Sequence, residues 1–371
     1  MANENEKYML MALKLAKRGI GLVEPNPMVG CVIVKAGQVI GRGWHKKFGQ
    51  SHAEINALED CKKNGLDPAA ASMYVTLEPC CHQGKTPACT DAIIASKLKE
   101  VFVAVIDPSA HANGKGIRQL QNAGIEVHTG LCQNRAEPLN APFLKFASTG
   151  RCWVIAKWAQ SIDGKLAWSQ QSGQRWISNE QSRKDAHKLR RRVQAILVGI
   201  NTVIADNPLL TARPNKGKEL TRVVLDSRLR ISLESQLLNT TKQSPVLIVT
   251  TDRSYQANLQ KTEQIIKKGA EILIVGEKTG KCDINLLLDD LSDRGIQQLL
   301  VEGGPTVIAS FLEEQLIDEI CVYIAPKILA SKGAVSIAEP MAKLADAFEL
   351  NNVELKRFGE DICLRGLLRK A

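Results

Sequence analysis

The chain has 371 residues, with 49 Lys and Arg against 39 Asp and Glu for a formal net charge of +10, and is 44% hydrophobic, 24% charged and 4% aromatic. That length exceeds one core of ordinary size and predicts two domains of roughly 150 to 200 residues, while no run approaches the ~20 apolar residues that span a bilayer. The positive balance suits phosphorylated metabolites and dinucleotides as well as nucleic acid, and the absence of an aromatic-basic strip argues against stacking of unpaired bases.

Met1 to Lys7 lacks the basic-then-apolar pattern of a secretory signal, and ten irregularly spaced cysteines do not form a disulfide framework, so the chain reads as cytoplasmic with reduced thiols. Apolar residues at helical spacing predict a first helix over 8–18. Two short apolar runs, 30–34 and 38–42, joined by Lys35-Ala36-Gly37, predict a hairpin. Strands and helices then alternate: helix 53–63, strand 73–77, helix 89–96, strand 101–105, helix 115–123, strand 125–128 and helix 134–147. This is an α/β sandwich around a mixed sheet.

Ser148-Thr149-Gly150-Arg151 breaks the last helix, and the boundary is placed there, giving domains 1–149 and 150–371. The second domain repeats the alternating plan without repeating the sequence: strand 153–157, helix 179–192, strands 195–198, 222–225 and 245–250, helix 254–268, strand 271–274, helix 284–294, strand 298–301 and helix 306–313. The segment 214–219 reads as a surface loop.

Two stretches carry the chemistry of the first domain, His52-Ala53-Glu54 and the run from Pro79 to Cys89. A catalytic zinc needs three nitrogen or thiolate ligands and one open position for water, and His52, Cys80 and Cys89 supply that set. Glu54 lies two residues past the histidine, placed to carry a proton to the ring and to the leaving amine without ligating the metal. The chemistry predicted is hydrolytic deamination of an amino-substituted nitrogen heterocycle. The gap of eight residues between the cysteines is longer than the usual two, and it leaves Cys81 and His82 as competing ligands and a structural zinc as an alternative. Asn26, in Pro25-Asn26-Pro27, is a candidate for hydrogen-bonding the heterocycle or for forming a turn. His82 and Lys85 are candidates for holding a phosphate, whereas His45, His111, His128 and His187 read as ordinary histidines.

In the second domain Glu302-Gly303-Gly304-Pro305-Thr306 follows a predicted strand and opens a helix, where backbone N–H groups can meet a phosphate. Arg190 and Arg213 carry guanidinium groups suited to bidentate phosphate capture, though in a chain this basic most arginines are solvated.

Set side by side, Glu24-Pro25-Asn26-Pro27-Met28-Val29-Gly30-Cys31, Gly43-Trp44-His45, His52-Ala53-Glu54, Thr76-Leu77-Glu78-Pro79-Cys80 and Gly84-Lys85-Thr86-Pro87-Ala88-Cys89 resemble the bifunctional pyrimidine deaminase/reductase family of riboflavin biosynthesis. The likeness continues through Ala159-Gln160-Ser161-Ile162-Asp163-Gly164-Lys165, Trp176-Ile177-Ser178, Gly199-Ile200-Asn201-Thr202-Val203, the stretch from Asp206 to Arg213, and Val301-Glu302-Gly303-Gly304-Pro305-Thr306. In that family the long cysteine gap is the norm.

The resemblance implies a cytidine-deaminase-like three-layer α/β/α domain followed by a dihydrofolate-reductase-like α/β domain. It implies Zn2+ and NADPH as cofactors, phosphoribosylated pyrimidines as substrates, and no nucleic-acid or membrane partner; a homo-oligomer is expected. It places Gln160, Trp176, Thr202, Asp206, Ser227, Gly303, Gly304, Thr306 and Val307 at the nicotinamide cofactor. It places Gln174, Arg190, Leu210, Arg213 and Glu302 at the substrate of the second step. The implied reactions are deamination of a diaminopyrimidinone ribosylamine phosphate, then reduction of the ribosyl group of the resulting aminouracil to ribityl.

Overall fold

The computed structural model describes residues 4–82, 87–166, 176–213, 220–330, 336–337 and 347–368. Lys85, Gln174, Trp168 and the segment 214–219 lie outside them. The chain divides into two compact units, Met1–Gly150 and Arg151–Ala371.

The first unit contains α1 (Glu4–Ala16), β1 (Gly30–Lys35), β2 (Gln38–Trp44), α2 (Ala53–Lys63), β3 (Ser72–Val75), α3 (Cys89–Ala95), β4 (Glu100–Val103), α4 (Lys115–Asn122), β5 (Glu126–Thr129) and α5 (Gln133–Thr149). Its sheet runs β2-β1-β3-β4-β5, with β2, β1 and β3 antiparallel and β3, β4 and β5 parallel. Side chains alternate across the sheet, so each strand feeds two cores. Cys31, Ile33, Met73, Val75, Val101 and Val103 pack against α2, α3 and α4, whereas Val32, Val34, Tyr74 and Phe102 pack against α1 and α5. Three layers result, because both faces are apolar.

One close approach positions the catalytic helix. A Cβ on Gly43 of β2 would lie 2.1 Å from the Ala53 carbonyl oxygen, so only glycine lets the first turn of α2 close onto this strand.

The second unit contains β6 (Trp153–Ser161), α6 (Glu180–Arg192), β7 (Ala195–Gly199), α7 (Ile200–Asp206), β8 (Thr221–Leu225), α8 (Gln236–Asn239), β9 (Val246–Thr251), α9 (Asp252–Ala257), α10 (Leu259–Lys267) and β10 (Glu271–Val275). It continues through β11 (Glu277–Lys278), β12 (Lys281–Cys282), α11 (Ile284–Asp293), β13 (Gln298–Val301), α12 (Pro305–Glu313), β14 (Glu319–Ala325), β15 (Leu350–Phe358) and β16 (Asp361–Leu368). The large sheet runs β10-β9-β8-β7-β13-β6-β14-β16-β15, parallel from β10 through β14 and antiparallel thereafter. Its core joins Val154, Leu197, Val223, Val249 and Leu299 to Leu287 and Leu291 of α11 and Phe311 of α12.

Two differences from the sequence reading stand out. The helix predicted over 254–268 is two helices broken at Asn258, whose φ of −132° and ψ of 35° are not helical. Three strands beyond Glu313 complete the sheet, and the outermost, β15, is exposed along most of its length, so no burial alternation marks it. Among the described residues no helix is long and apolar enough to cross a membrane.

Candidate active sites

In the first unit a cavity of about 410 Å3 opens beside the start of α2, and Asn26, His45, His52, Glu54, Cys80 and His82 all line it. His52 immediately precedes α2, Cys80 lies in the loop after β3, and Cys89 is the first residue of α3. Their ligand atoms converge. His52 Nδ1 lies 3.5 Å from Cys80 Sγ and 3.3 Å from Cys89 Sγ, and all three atoms fall within 4.8 Å of one another. Zinc bonds of about 2.3 Å to sulfur and 2.0 Å to nitrogen, at a tetrahedral angle, make a nitrogen–sulfur edge of about 3.5 Å, so the three donors fit that ion.

Backbone contacts fix the cluster: Cys89 N–H donates to Cys80 Sγ at 3.4 Å and Thr90 N–H to the Cys80 carbonyl at 3.2 Å. The side-chain contact between the two cysteines, with His52 nearby, pulls the Cys80 thiol well below its ordinary range, while the same thiol contact and burial push Cys89 up. Cys81 turns instead toward the His111 carbonyl at 3.6 Å, and the His82 ring lies 5.7 Å from that of His111 at the exposed rim.

Glu54 is only 3% exposed. Burial, reinforced by Cys80, raises its carboxyl to about 7, with His52 pulling the other way. A carboxyl near neutrality can both accept and donate a proton.

Asn26 forms the turn weighed for it, and its side chain has a partner the sequence did not suggest. Its backbone N–H closes a turn to the Val23 carbonyl at 2.9 Å, and its side-chain Nδ2 meets His45 Nε2 at 3.2 Å. His45, read as ordinary from the sequence, is buried in this cavity with Nδ1 3.1 Å from the Ser51 carbonyl. Asp107 and Ser109, which escaped the sequence reading, and His111, read there as ordinary, also line it. Their signal was position, in a loop after a parallel strand, where sites of α/β sheets gather. Buried Glu78 holds that loop by accepting from Asp107 N at 3.2 Å, Gly114 N at 3.0 Å and Gly116 N at 3.0 Å.

The second unit has a cavity of about 500 Å3 at the ends of β7, β8 and β12 and the start of α12. Thr202, Ser227, Gly304, Thr306 and Val307, which the resemblance assigns to the cofactor, line it. A Cβ on Gly303 would lie 2.7 Å from Val307 Cβ, so glycine is required for α12 to start so close to the strand end. The Ser227 hydroxyl accepts from Cys282 N at 3.0 Å and donates to Cys282 Sγ at 3.3 Å.

Gln160, Trp176, Asp206 and Gly303 do not line this cavity. Gln160 accepts from Trp158 Nε1 at 2.7 Å, Trp176 is 55% exposed with the Arg183 guanidinium 5.3 Å from its ring centre, and Asp206 ends α7.

Arg190 and Glu302, read separately as substrate contacts, are partners of each other. Arg190 Nε and Nη2 each donate to the Glu302 carboxylate at 2.8 Å, and Nη1 donates to the Thr211 carbonyl at 3.2 Å. Lys157 Nζ approaches the same carboxylate at 3.7 Å. Burial alone would raise the Glu302 carboxyl, but Arg190 and Lys157 bring it down to about 2. Burial, with Arg190 and Arg213, lowers His187 to about 4, and its Nδ1 has no hydrogen-bond partner among the described residues. Arg213 itself is exposed, and Leu210 is buried with a φ of +52°.

A metal-binding deaminase domain joined to a reductase domain is the class these units define. Residues 2–105 match the family model for the cytidine and deoxycytidylate deaminase zinc-binding region, and residues 152–364 match that for the RibD C-terminal domain. The chain belongs to the RibD family, the bifunctional deaminase/reductases of riboflavin biosynthesis. It is 40% identical to the riboflavin biosynthesis protein RibD of Aquifex aeolicus over 363 residues, covering 97% of both chains. It is 38% identical to that of Escherichia coli over 369 residues, covering 97% of this chain and 98% of the relative. Among solved structures it is similar to RibD of Acinetobacter baumannii, with a TM-score of 0.85 and 35% identity over 99% of both chains. It is also similar to the Thermotoga maritima diaminohydroxyphosphoribosylaminopyrimidine deaminase/5-amino-6-(5-phosphoribosylamino)uracil reductase, with a TM-score of 0.83 and 32% identity over 99% of both chains.

Proposed function

We propose that the first unit deaminates 2,5-diamino-6-(ribosylamino)-4(3H)-pyrimidinone 5′-phosphate, and that the second uses NADPH to reduce 5-amino-6-(5-phosphoribosylamino)uracil to its ribitylamino product. The observation that carries this reading is the convergence of His52, Cys80 and Cys89 beside a buried Glu54 in one cavity. The Thermotoga relative, whose description states both activities, supports the choice of substrates.

His52, Cys80 and Cys89 would hold zinc, which when bound supplies a water acidic enough to attack at neutral pH. Glu54 takes a proton from the attacking water and delivers protons to the ring and to the departing amine. A C–O bond forms as the C–N bond breaks, and nitrogen leaves as ammonia. Asn26 orients the ring, while His82 and Lys85 hold the phosphate.

In the second unit, Gln160, Trp176, Thr202, Asp206, Ser227, Gly303, Gly304, Thr306 and Val307 bind the dinucleotide. Gln174, Arg190, Leu210, Arg213 and Glu302 form the substrate site, with Arg190 acting through Glu302 and Arg213 as the exposed guanidinium available to phosphate. Hydride transfer asks the protein chiefly to align two carbons. The same reading places the chain in the cytoplasm as a homo-oligomer acting on small molecules rather than nucleic acid.

The test is a coupled assay with the diaminopyrimidine phosphate that follows ammonia and NADPH consumption together. Glu54→Ala is expected to stop both signals while retaining zinc, and reduction is expected to return when 5-amino-6-(5-phosphoribosylamino)uracil is supplied. Ammonia release from cytidine or transfer RNA, with none from the phosphoribosylated pyrimidine, would overturn the assignment.

A further inference from the structure

We propose that Arg228 and Lys281 form the recognition site for the 2′-phosphate of the dinucleotide, and so set the preference for NADPH over NADH. This rests on the reading that the cavity of the second unit binds a nicotinamide dinucleotide.

Three cations line that cavity, Arg228, Arg230 and Lys281, and all three are exposed. The fold presents them deliberately. Buried Asp226 ends the β8 segment, and its two carboxylate oxygens accept from Arg230 N and Ile231 N, each at 2.8 Å. Leu229, between the arginines, is buried with a φ of +48°. The loop is therefore pinned at its centre, and residues 228 and 230 on either side reach solvent. Lys281 arrives from the hairpin of β11 and β12, whose two turn residues, Thr279 and Gly280, both have positive φ as a tight hairpin turn requires. Ser227 ties hairpin to loop through its two contacts with Cys282.

The three cations differ in what already occupies them. Arg230 Nη2 donates to the Asn201 side-chain oxygen at 2.6 Å. Arg228 and Lys281 make no side-chain hydrogen bond or ion pair among the described residues, and the one carboxylate lining the cavity, Asp226, is occupied by backbone N–H groups. A mouth with positive charge and no acidic partner favours a dianion. The bridging phosphates of a dinucleotide carry one charge each and suit the backbone N–H groups where α12 begins, whereas a phosphate monoester carries close to two and calls for flexible cationic donors. NADH lacks that group.

Calorimetric titration of the zinc-loaded full-length chain with NADPH and with NADH tests this directly. The wild type is expected to bind NADPH at least about tenfold more tightly, and Arg228→Ala/Lys281→Ala to lose about that factor for NADPH while its NADH affinity holds within about twofold. Unchanged NADPH affinity in the double variant, an equal fall for both dinucleotides, or equal wild-type affinities would each overturn the site and leave the cofactor cavity standing. A wild type that binds neither dinucleotide would overturn the cavity reading and the site together.

Discussion

The imidazole of His45 fixes which end of the Asn26 amide is offered to a ligand. The Ser51 carbonyl only accepts, so His45 Nδ1 carries the proton; Nε2 must then accept, and Asn26 Nδ2 donates to it. The amide oxygen is left to accept an N–H from the ring. Asn26→Asp keeps the shape but loses the donor, and His45→Ala releases the amide. Each is expected to lower kcat/KM for deamination by about ten- to a hundredfold at unchanged zinc content. Steady-state ammonia release with metal analysis checks this, and wild-type kinetics in His45→Ala would show that the amide needs no such anchor.

Glu78 should behave as the pin of a loop rather than as a reacting group. Its carboxylate collects three backbone N–H groups from Asp107, Gly114 and Gly116. Glu78→Ala removes the acceptor of all three, leaving buried Gly116 N unmet, and is expected to cost about 2 kcal/mol in the first unit, with ammonia release falling in step. Reduction of pre-deaminated substrate serves as the internal control and should persist.

Removing the metal should divide the two activities. A strong chelator such as dipicolinate is expected to abolish ammonia release while reduction of the deaminated substrate continues, because His52, Cys80 and Cys89 all lie in the first unit. Cys80→Ser and Cys89→Ser should lose zinc and ammonia release together. Retention of full zinc by either variant would point to Cys81 or His82 as the replacement donor.

Acid should weaken the second unit in two stages. His187 is held neutral, with its native value of about 4 below the unfolded value near 6.5, so stability present above pH ~6.5 is lost as pH falls toward 4. Glu302 is held ionised at about 2, below an unfolded value near 4.3, so its contribution is complete above pH ~5 and is lost as pH falls toward 2. Folding favours the ionised over the protonated Glu302 carboxyl by on the order of 3 kcal/mol. Denaturant unfolding from pH 7 to 3 should show this slope, and Glu302→Gln should flatten its lower part while reducing stability at pH 7.

The parts of this molecule legible in the sequence are those whose signals are local. His52 and Glu54 stand two residues apart, Cys80 follows a strand and Cys89 opens a helix, so the metal cluster needed only short motifs. The inner strands β1, β3 and β4 of the first sheet were legible because both their faces are buried. By contrast, Arg190 and Glu302 lie 112 residues apart, and nothing in either neighbourhood says that one fills the other's fork. His45 was passed over for the same reason, since its role depends on Asn26 and Ser51 meeting it in space. β15 was invisible because its solvent exposure leaves no periodic apolar face.

The place of β6 in the interior of the large sheet has a temporal consequence. Its neighbours β13 and β14 come late in the chain, and the bond from Val154 N to Asp318 Oδ2 spans 164 residues. At ribosomal rates of roughly 5–20 residues per second, this apolar strand emerges on the order of ten to thirty seconds before the partners that will cover it. The first sheet needs nothing beyond β5, so the deaminase half can fold and gather its metal during synthesis, while the reductase half begins its life with an interior strand unpaired.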